Sequence, residues 1–170
     1  MAYRTRTYIA ADWDNDHDAV AQLHKWNDSD YWSLSFTDAH ELQQSRDNSL
    51  NCSIKSSLKS RMDSSKRFVL IVGENTNTVR SGGCQYCQSY NSYGHYCKRG
   101  YSVDYRSYIE YECDKAVEAG ISIVVLYKAS RIDYSKCPES VRYLGRHVPM
   151  YFWKDGELYW NYTEIKKAFE

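Results

Sequence analysis

The sequence has no apolar run near the roughly 20 residues that a membrane-spanning helix needs. The opening "MAYRTRTYIAADWD" has none of the apolar core of a signal peptide. Nor is there an excess of either charge: 22 Lys plus Arg balance 22 Asp plus Glu, where a dedicated nucleic-acid binder carries a basic surplus. Proline is scarce, with two residues, and no stretch reads as an interdomain linker. Six cysteines in 170 residues are too few for a disulfide scaffold, and the cytosol keeps such thiols reduced. Together these absences predict a soluble, cytoplasmic chain that engages neither membrane nor nucleic acid. The length suits one domain over 1–170 with a proper core.

What is abundant is tyrosine, with 17 residues, which supplies large amphipathic surface. Hydrophobic patterning then sets an order of elements. "YIAA" (8–11) reads as a short central strand with the acidic exit "DWDND". "DHDAVAQLHKW" places Val20, Leu23 and Trp26 at helical spacing, with Asp16 or Asp18 as the cap. "YWSLSFTD" alternates Trp32, Leu34 and Phe36, a strand signal. Leu50, Ile54, Leu58 and Met62 mark a second helix, and "RFVLIVG" (67–73) is the clearest buried strand. A Gly-, Ser- and Cys-containing insertion at about 80–103 follows, and then "YIEYECDKAVEAGISIVVLY" (108–127), a helix feeding a β-branched strand. "MYFWKDGELYW" carries Asp155-Gly156 between aromatic runs, a hairpin signal. "NYTEIKKAFE" closes as an amphipathic helix.

Alternating strands and helices predict right-handed crossovers, hence an α/β three-layer sandwich around a mainly parallel sheet, with a C-terminal β-hairpin. Ligands of such sheets bind outside the carboxyl ends of the strands. The turns after Ala11, Phe36 and Val72 are expected to meet there, beside the start of the helix around Glu112. On a helical wheel with Ile109 at zero, Cys113, Ala116 and Val117 form the buried stripe, and Glu112 lies about 60 degrees aside, near Tyr105 and Tyr108. Tyr111 points away. That places Glu112 at the border of core and cleft, where burial raises a carboxyl pKa or demands a partner; a Glu paired with Lys or Arg is the structural alternative.

"SYIEYECDKAVEAG" resembles the catalytic-helix motif of bacterial TIR-like domains, and "RFVLIVGENT" resembles their third strand with its G-x-x-T turn. "YIAADWDND" is similar to their first strand and its aromatic, acidic exit. The nearest resemblance is to the TIR component of Thoeris anti-phage systems, whose members also end in an aromatic hairpin. The resemblance implies a flavodoxin-like, TIR-like sandwich. It also implies an enzyme that cleaves the nicotinamide–ribose bond of NAD, making a cyclic ADP-ribose-type signal for a separate effector protein, with self-association a further property. NAD is then the substrate and no cofactor is required. The family's catalytic Glu maps onto Glu112. Trp13 matches the exit aromatic, to stack on a base or to pack; Asp12 and Asp38 bind ribose or cap helices, with capping favoured for Asp38; Tyr105 and Tyr108 flank the Glu. His40 and Glu41 fall in a loop linked to assembly and gating. Ala10 and Ala11 depart from the usual Ser and Phe, and Tyr108 from the usual Trp.

Within the insertion, Cys84-x2-Cys87 and His95-x-Cys97 supply four zinc-type ligands, a candidate structural zinc site. A mobile loop with incidental thiols is the alternative. Three other functions compete. A nucleic-acid knuckle in the cysteine segment predicts salt-dependent binding, which the zero net charge disfavours. A receiver domain needs an Asp at the end of "RFVLIV", where Gly73-Glu74 stand. A non-catalytic TIR adaptor acting by self-association remains as the rival class.

Overall fold

A computed structural model describes residues 6–39 and 50–170. In chain order these form β1 (Arg6–Ala10), α1 (Trp13–Asn27), α2 (Asn51–Asp63), β2 (Ser65–Val72), the two-residue strands β3 (Tyr90–Asn91) and β4 (Tyr96–Cys97), α3 (Tyr108–Ala119), β5 (Ser122–Tyr127), β6 (Arg146–Pro149), β7 (Tyr151–Lys154), β8 (Glu157–Trp160) and α4 (Tyr162–Phe169). The central sheet is parallel, in the order β1-β2-β5-β6. β3 with β4, and β7 with β8, form separate antiparallel pairs.

The period-two alternation of strand side chains sorts the core into two layers. Ile9, Val69, Ile71, Val124 and Leu126 face α1 and α4, meeting Val20, Leu23, Ile165 and Phe169. Tyr8, Phe68, Leu70, Val125 and Tyr127 face the other way, onto Met62 of α2 and Ile109, Cys113 and Ala116 of α3. Because both faces are covered, the paired cores of these strands, Phe68 to Val72 of β2 and Ile123 to Tyr127 of β5, are unbroken apolar runs, as expected of central parallel strands. Each fully buried Leu or Phe there contributes about 1.5–3 kcal/mol of transfer free energy. Among the described residues no helix is long and apolar enough to cross a membrane.

Two local readings are corrected, and one strand had gone unread. "YWSLSFTD" is not a strand. Ser33 and Ser35 adopt left-handed backbone (φ 41 and 57), which interrupts an extended chain, and Leu34 and Phe36 instead bond back to α1 through Trp26 O and Asn27 Oδ1. Among the described residues of this segment a single parallel bridge, Thr7 to Asp38, stands beside β1. Helix α1 begins at Trp13 rather than at Asp16 or Asp18: the Asp12 carbonyl already accepts the N–H groups of Asn15 and Asp16, so β1 runs into α1 with almost no loop. Finally, β6 had no sequence signal, since "RHVP" is short and mostly polar. The hairpin is as predicted, with Asp155 and Gly156 both left-handed (φ 52 and 79), the backbone a type I′ turn requires.

Candidate active site

Helix α3 starts with a capping box. Ser107 Oγ accepts the Glu110 N–H at 3.1 Å, and the Glu110 carboxylate accepts the Ser107 N–H at 2.8 Å. Such a cap is worth about 1 kcal/mol and fixes where the helix begins. Gly120, at φ 63, ends it. Glu112 therefore falls in the second turn, at 6% exposure, and accepts a 2.5 Å hydrogen bond from the hydroxyl of Tyr8. Tyr8 is fully buried in β1. Burial first, then the charge of Glu112 and the bond to it, push the Tyr8 pKa well above its ordinary value, against an opposing pull from Arg61. Tyr8 thus stays a phenol, and its proton is committed to the carboxylate.

The buried arc of α3 is turned further toward Glu112 than the wheel suggested. Ile109, Cys113 and Ala116 are buried as expected, but Val117 is 39% exposed. Tyr111, expected to point away, is buried, with the cations of Arg106, Lys55 and Lys115 lying 5.1, 5.5 and 5.6 Å from its ring centre. The reason is α2, which packs on that flank and brings the buried Lys55 against the start of α3, where Nζ donates to Arg106 O at 2.7 Å. Glu112 consequently sits inside the packed arc, between the sheet face and its covering helices. Tyr8→Phe, which deletes the donor, is expected to cost about 1–3 kcal/mol, read in urea as a lower midpoint at unchanged slope.

The other candidates do not converge on Glu112. Asp12 is buried, and its carboxylate accepts from Asn15 Nδ2 at 2.7 Å; Trp13, 48% exposed, opens α1. Asp38 lies level with Thr7 near the start of β1 and accepts a 2.8 Å bond from His24 Nε2. Five residues of strand rise separate it from the level of Asp12, roughly 16 Å. Asp38 is therefore not at the carboxyl rim. Tyr105 turns to the insertion, its hydroxyl 3.1 Å from that of Tyr90, and Tyr108 donates to Asn51 Oδ1 at 3.1 Å. His40 and Glu41 lie outside the described residues. Tyr8 is the residue that sequence reasoning missed; its partner stands 104 positions away, and no local pattern announces such a pairing.

Residues 8–81 match the family model for Thoeris protein ThsB, TIR-like domain. That match supports a TIR-like domain related to Thoeris. No curated protein matches the chain. The matched span includes Tyr8, Asp12, Trp13 and Asp38 and ends before α3; Glu112 lies outside it and meets it through the bond to Tyr8.

At the carboxyl rim of this TIR-like domain, the G-x-x-T turn is built as its sequence suggests: Thr76, buried, accepts the Gly73 N–H at 2.8 Å. Gly73 is required there for a second reason, since a Cβ would stand 2.2 Å from the Asp16 carboxylate. Asp16 is buried and lies 3.4 Å from Lys128 Nζ, which prefers Asp18 at 2.6 Å. Burial, partly offset by Lys128, raises the Asp16 pKa. A raised carboxyl favours folding while protonated, below the unfolded value of about 3.9, and that contribution is lost as pH rises through the native value. Asp16→Asn is therefore expected to be more stable than wild type at pH 7. The gap should close as pH falls below that unfolded value, measured by thermal melts across pH.

Two hollows stand out among the described residues, and neither is lined by Glu112. One, of about 550 Å3, is open and lies near the amino end of the sheet, between Asn27, the 28–37 segment and Lys66. The other is small and borders the insertion, where the predicted zinc set is not assembled as drawn. His95 turns away, with Nδ1 3.0 Å from the Tyr90 hydroxyl, while Cys84, Cys87 and Cys97 line the hollow together with Cys52 of α2. Among the described residues no three His, Cys, Asp or Glu side chains stand in ligating geometry.

Proposed function

We propose that the chain is a NAD-consuming TIR enzyme of anti-phage defence that cleaves the nicotinamide–ribose bond and makes a cyclic ADP-ribose-type signal. The observation that carries this reading is the Glu112 carboxylate, held in the second turn of α3 by the buried Tyr8 hydroxyl, in a chain with a Thoeris TIR-like match. A single oriented carboxylate suits the reaction. Nicotinamide departs neutral from a cationic ring, so no general acid is needed. What needs stabilising is the positive charge that develops on the ribose, which a nearby anion supplies. Tyr8 fixes the orientation of that anion and keeps it hydrogen-bonded. Cyclisation further requires the adenine end to reach the same carbon before water does.

On this reading NAD is the substrate, no resident cofactor takes part, and the effector is reached through the released nucleotide. The test is mass spectrometry of NAD incubated with the purified chain. A cyclic isomer is expected; linear ADP-ribose alone would limit the enzyme to hydrolysis, and intact NAD would remove the proposal.

A second reading, a non-catalytic adaptor acting by self-association, draws support from the hairpin, where Phe152, Trp153, Leu158 and Tyr159 are all exposed. That reading expects concentration-dependent association in sedimentation without any loss of NAD.

A further inference from the structure

The insertion is polar, and its two short strands share only two paired positions, too little sheet to hold a shape alone. Yet four thiols gather at its base. Cys84 and Cys87 bracket a single 3-10 turn, with the Cys87 N–H bonded to Cys84 O at 2.9 Å. Cys97 ends β4 and is followed by a turn in which the Gly100 N–H bonds to Cys97 O at 2.9 Å. Cys52 comes from the first turn of α2, more than 30 positions earlier in the chain. All four line one hollow of about 10 Å3, the room of a single water-sized atom. Its other walls include Leu50 and Tyr101. All six cysteines of the chain are free thiols.

We propose that Cys52, Cys84, Cys87 and Cys97 are the ligands of a structural zinc ion, and that His95 is not one. Four sulfurs about 2.3 Å from one centre make the closed tetrahedral set of structural zinc sites. Cys84 Sγ already accepts the Asp104 N–H at 3.1 Å, the kind of outer bond that orients a ligand and stabilises its thiolate. Each thiol gives up its proton on ligation, with no change of oxidation state. The sulfurs are not yet in ligating geometry, so binding requires them to close inward, and staggered rotation about χ1 is the motion available to a cysteine. His95 has a left-handed backbone (φ 55) and points at Tyr90, which explains why the shortest ligand spacing in the sequence is not the one the fold gathers.

The site would bind α2 to the insertion, and the insertion to the start of α3. Cys84 N–H already bonds to Asp104 O at 2.8 Å, and Tyr108 N–H to Ser81 O at 2.8 Å. Zinc there would brace the helix that carries Glu112. The inference does not depend on NAD chemistry.

The test is metal content and affinity of the whole chain purified under reducing conditions and loaded with zinc. Wild type and His95→Ala are expected to hold one zinc per chain. Loss of an outer-shell partner alone costs about 10–100-fold in metal affinity, so Cys52→Ser should lose at least about 100-fold. Should Cys52→Ser fail to fold, cobalt(II) substitution of the wild type decides: tetrahedral visible bands with a near-ultraviolet thiolate band of four-sulfur intensity are expected. Absence of bound metal in the loaded wild type, loss of metal in His95→Ala with retention in Cys52→Ser, or a cobalt spectrum of octahedral type would each overturn the assignment.

Discussion

Glu112→Gln is expected to lower NAD cleavage on the order of 10³-fold, the scale lost when a preorganised group facing transition-state charge is removed. The substitution is close to isosteric, so it separates chemistry from folding. Glutamine keeps a carbonyl oxygen that can accept the Tyr8 hydroxyl, now 2.5 Å from the carboxylate. The bond changes from charge-assisted to neutral, a difference of about 1 kcal/mol, and the cost of burying an anion disappears with it. Stability should therefore stay within about 1 kcal/mol of wild type while turnover collapses. Measurement of both on one preparation, nicotinamide release by chromatography and unfolding by urea, checks the pair of expectations. A variant equally stable and equally active would show that Glu112 serves only to hold α3 against β1.

The largest stability effect is expected at Gly145, which leads into β6. Its backbone is left-handed (φ 73), and a Cβ there would stand 2.1 Å from the carbonyl oxygen of Ile123 in β5. The obstacle is main chain of a central strand, which cannot move aside without breaking the sheet. Left-handed strain of about 1–3 kcal/mol and overpacking of about 1–3 kcal/mol then act together in Gly145→Ala. Its Tm should fall by roughly 10 °C, given about 2–4 °C per kcal/mol at this size. Gly156→Ala is the internal control. That glycine is also left-handed (φ 79), but nothing lies within 4 Å of its Cβ position, so only the strain remains and its melting should fall much less. Equal losses in the two variants would contradict the steric argument.

The layered α/β architecture was legible because β2 and β5 are buried on both faces, which leaves a continuous apolar signature in "RFVLIV" and "ISIVVLY". The hairpin was legible because Asp155-Gly156 is one of few pairs that tolerate two left-handed residues in succession. The second strand failed for the opposite reason. Its alternation of Trp32, Leu34 and Phe36 is real, but the intervening serines leave the extended region, and serine carries no composition signal for doing so. β6 was silent because one apolar residue among four makes no period.

At the candidate site, the helix and its Glu were readable, yet the depth of Glu112 was not. Depth depends on where α2 lies, and Lys55, the residue that marks that packing, reads in sequence as an exposed helical lysine while the fold buries it under the start of α3. The same blindness to distant neighbours hid Tyr8 behind an ordinary strand pattern and grouped His95, rather than Cys52, with Cys84, Cys87 and Cys97.

The central claim is that the Glu112 carboxylate acts on NAD, and its most direct test is nicotinamide release by wild type and Glu112→Gln, side by side, at high protein concentration. The account predicts one nicotinamide freed for each NAD lost with the wild type, and almost none with the variant. Equal rates in the two proteins, or NAD left intact by both, would contradict it.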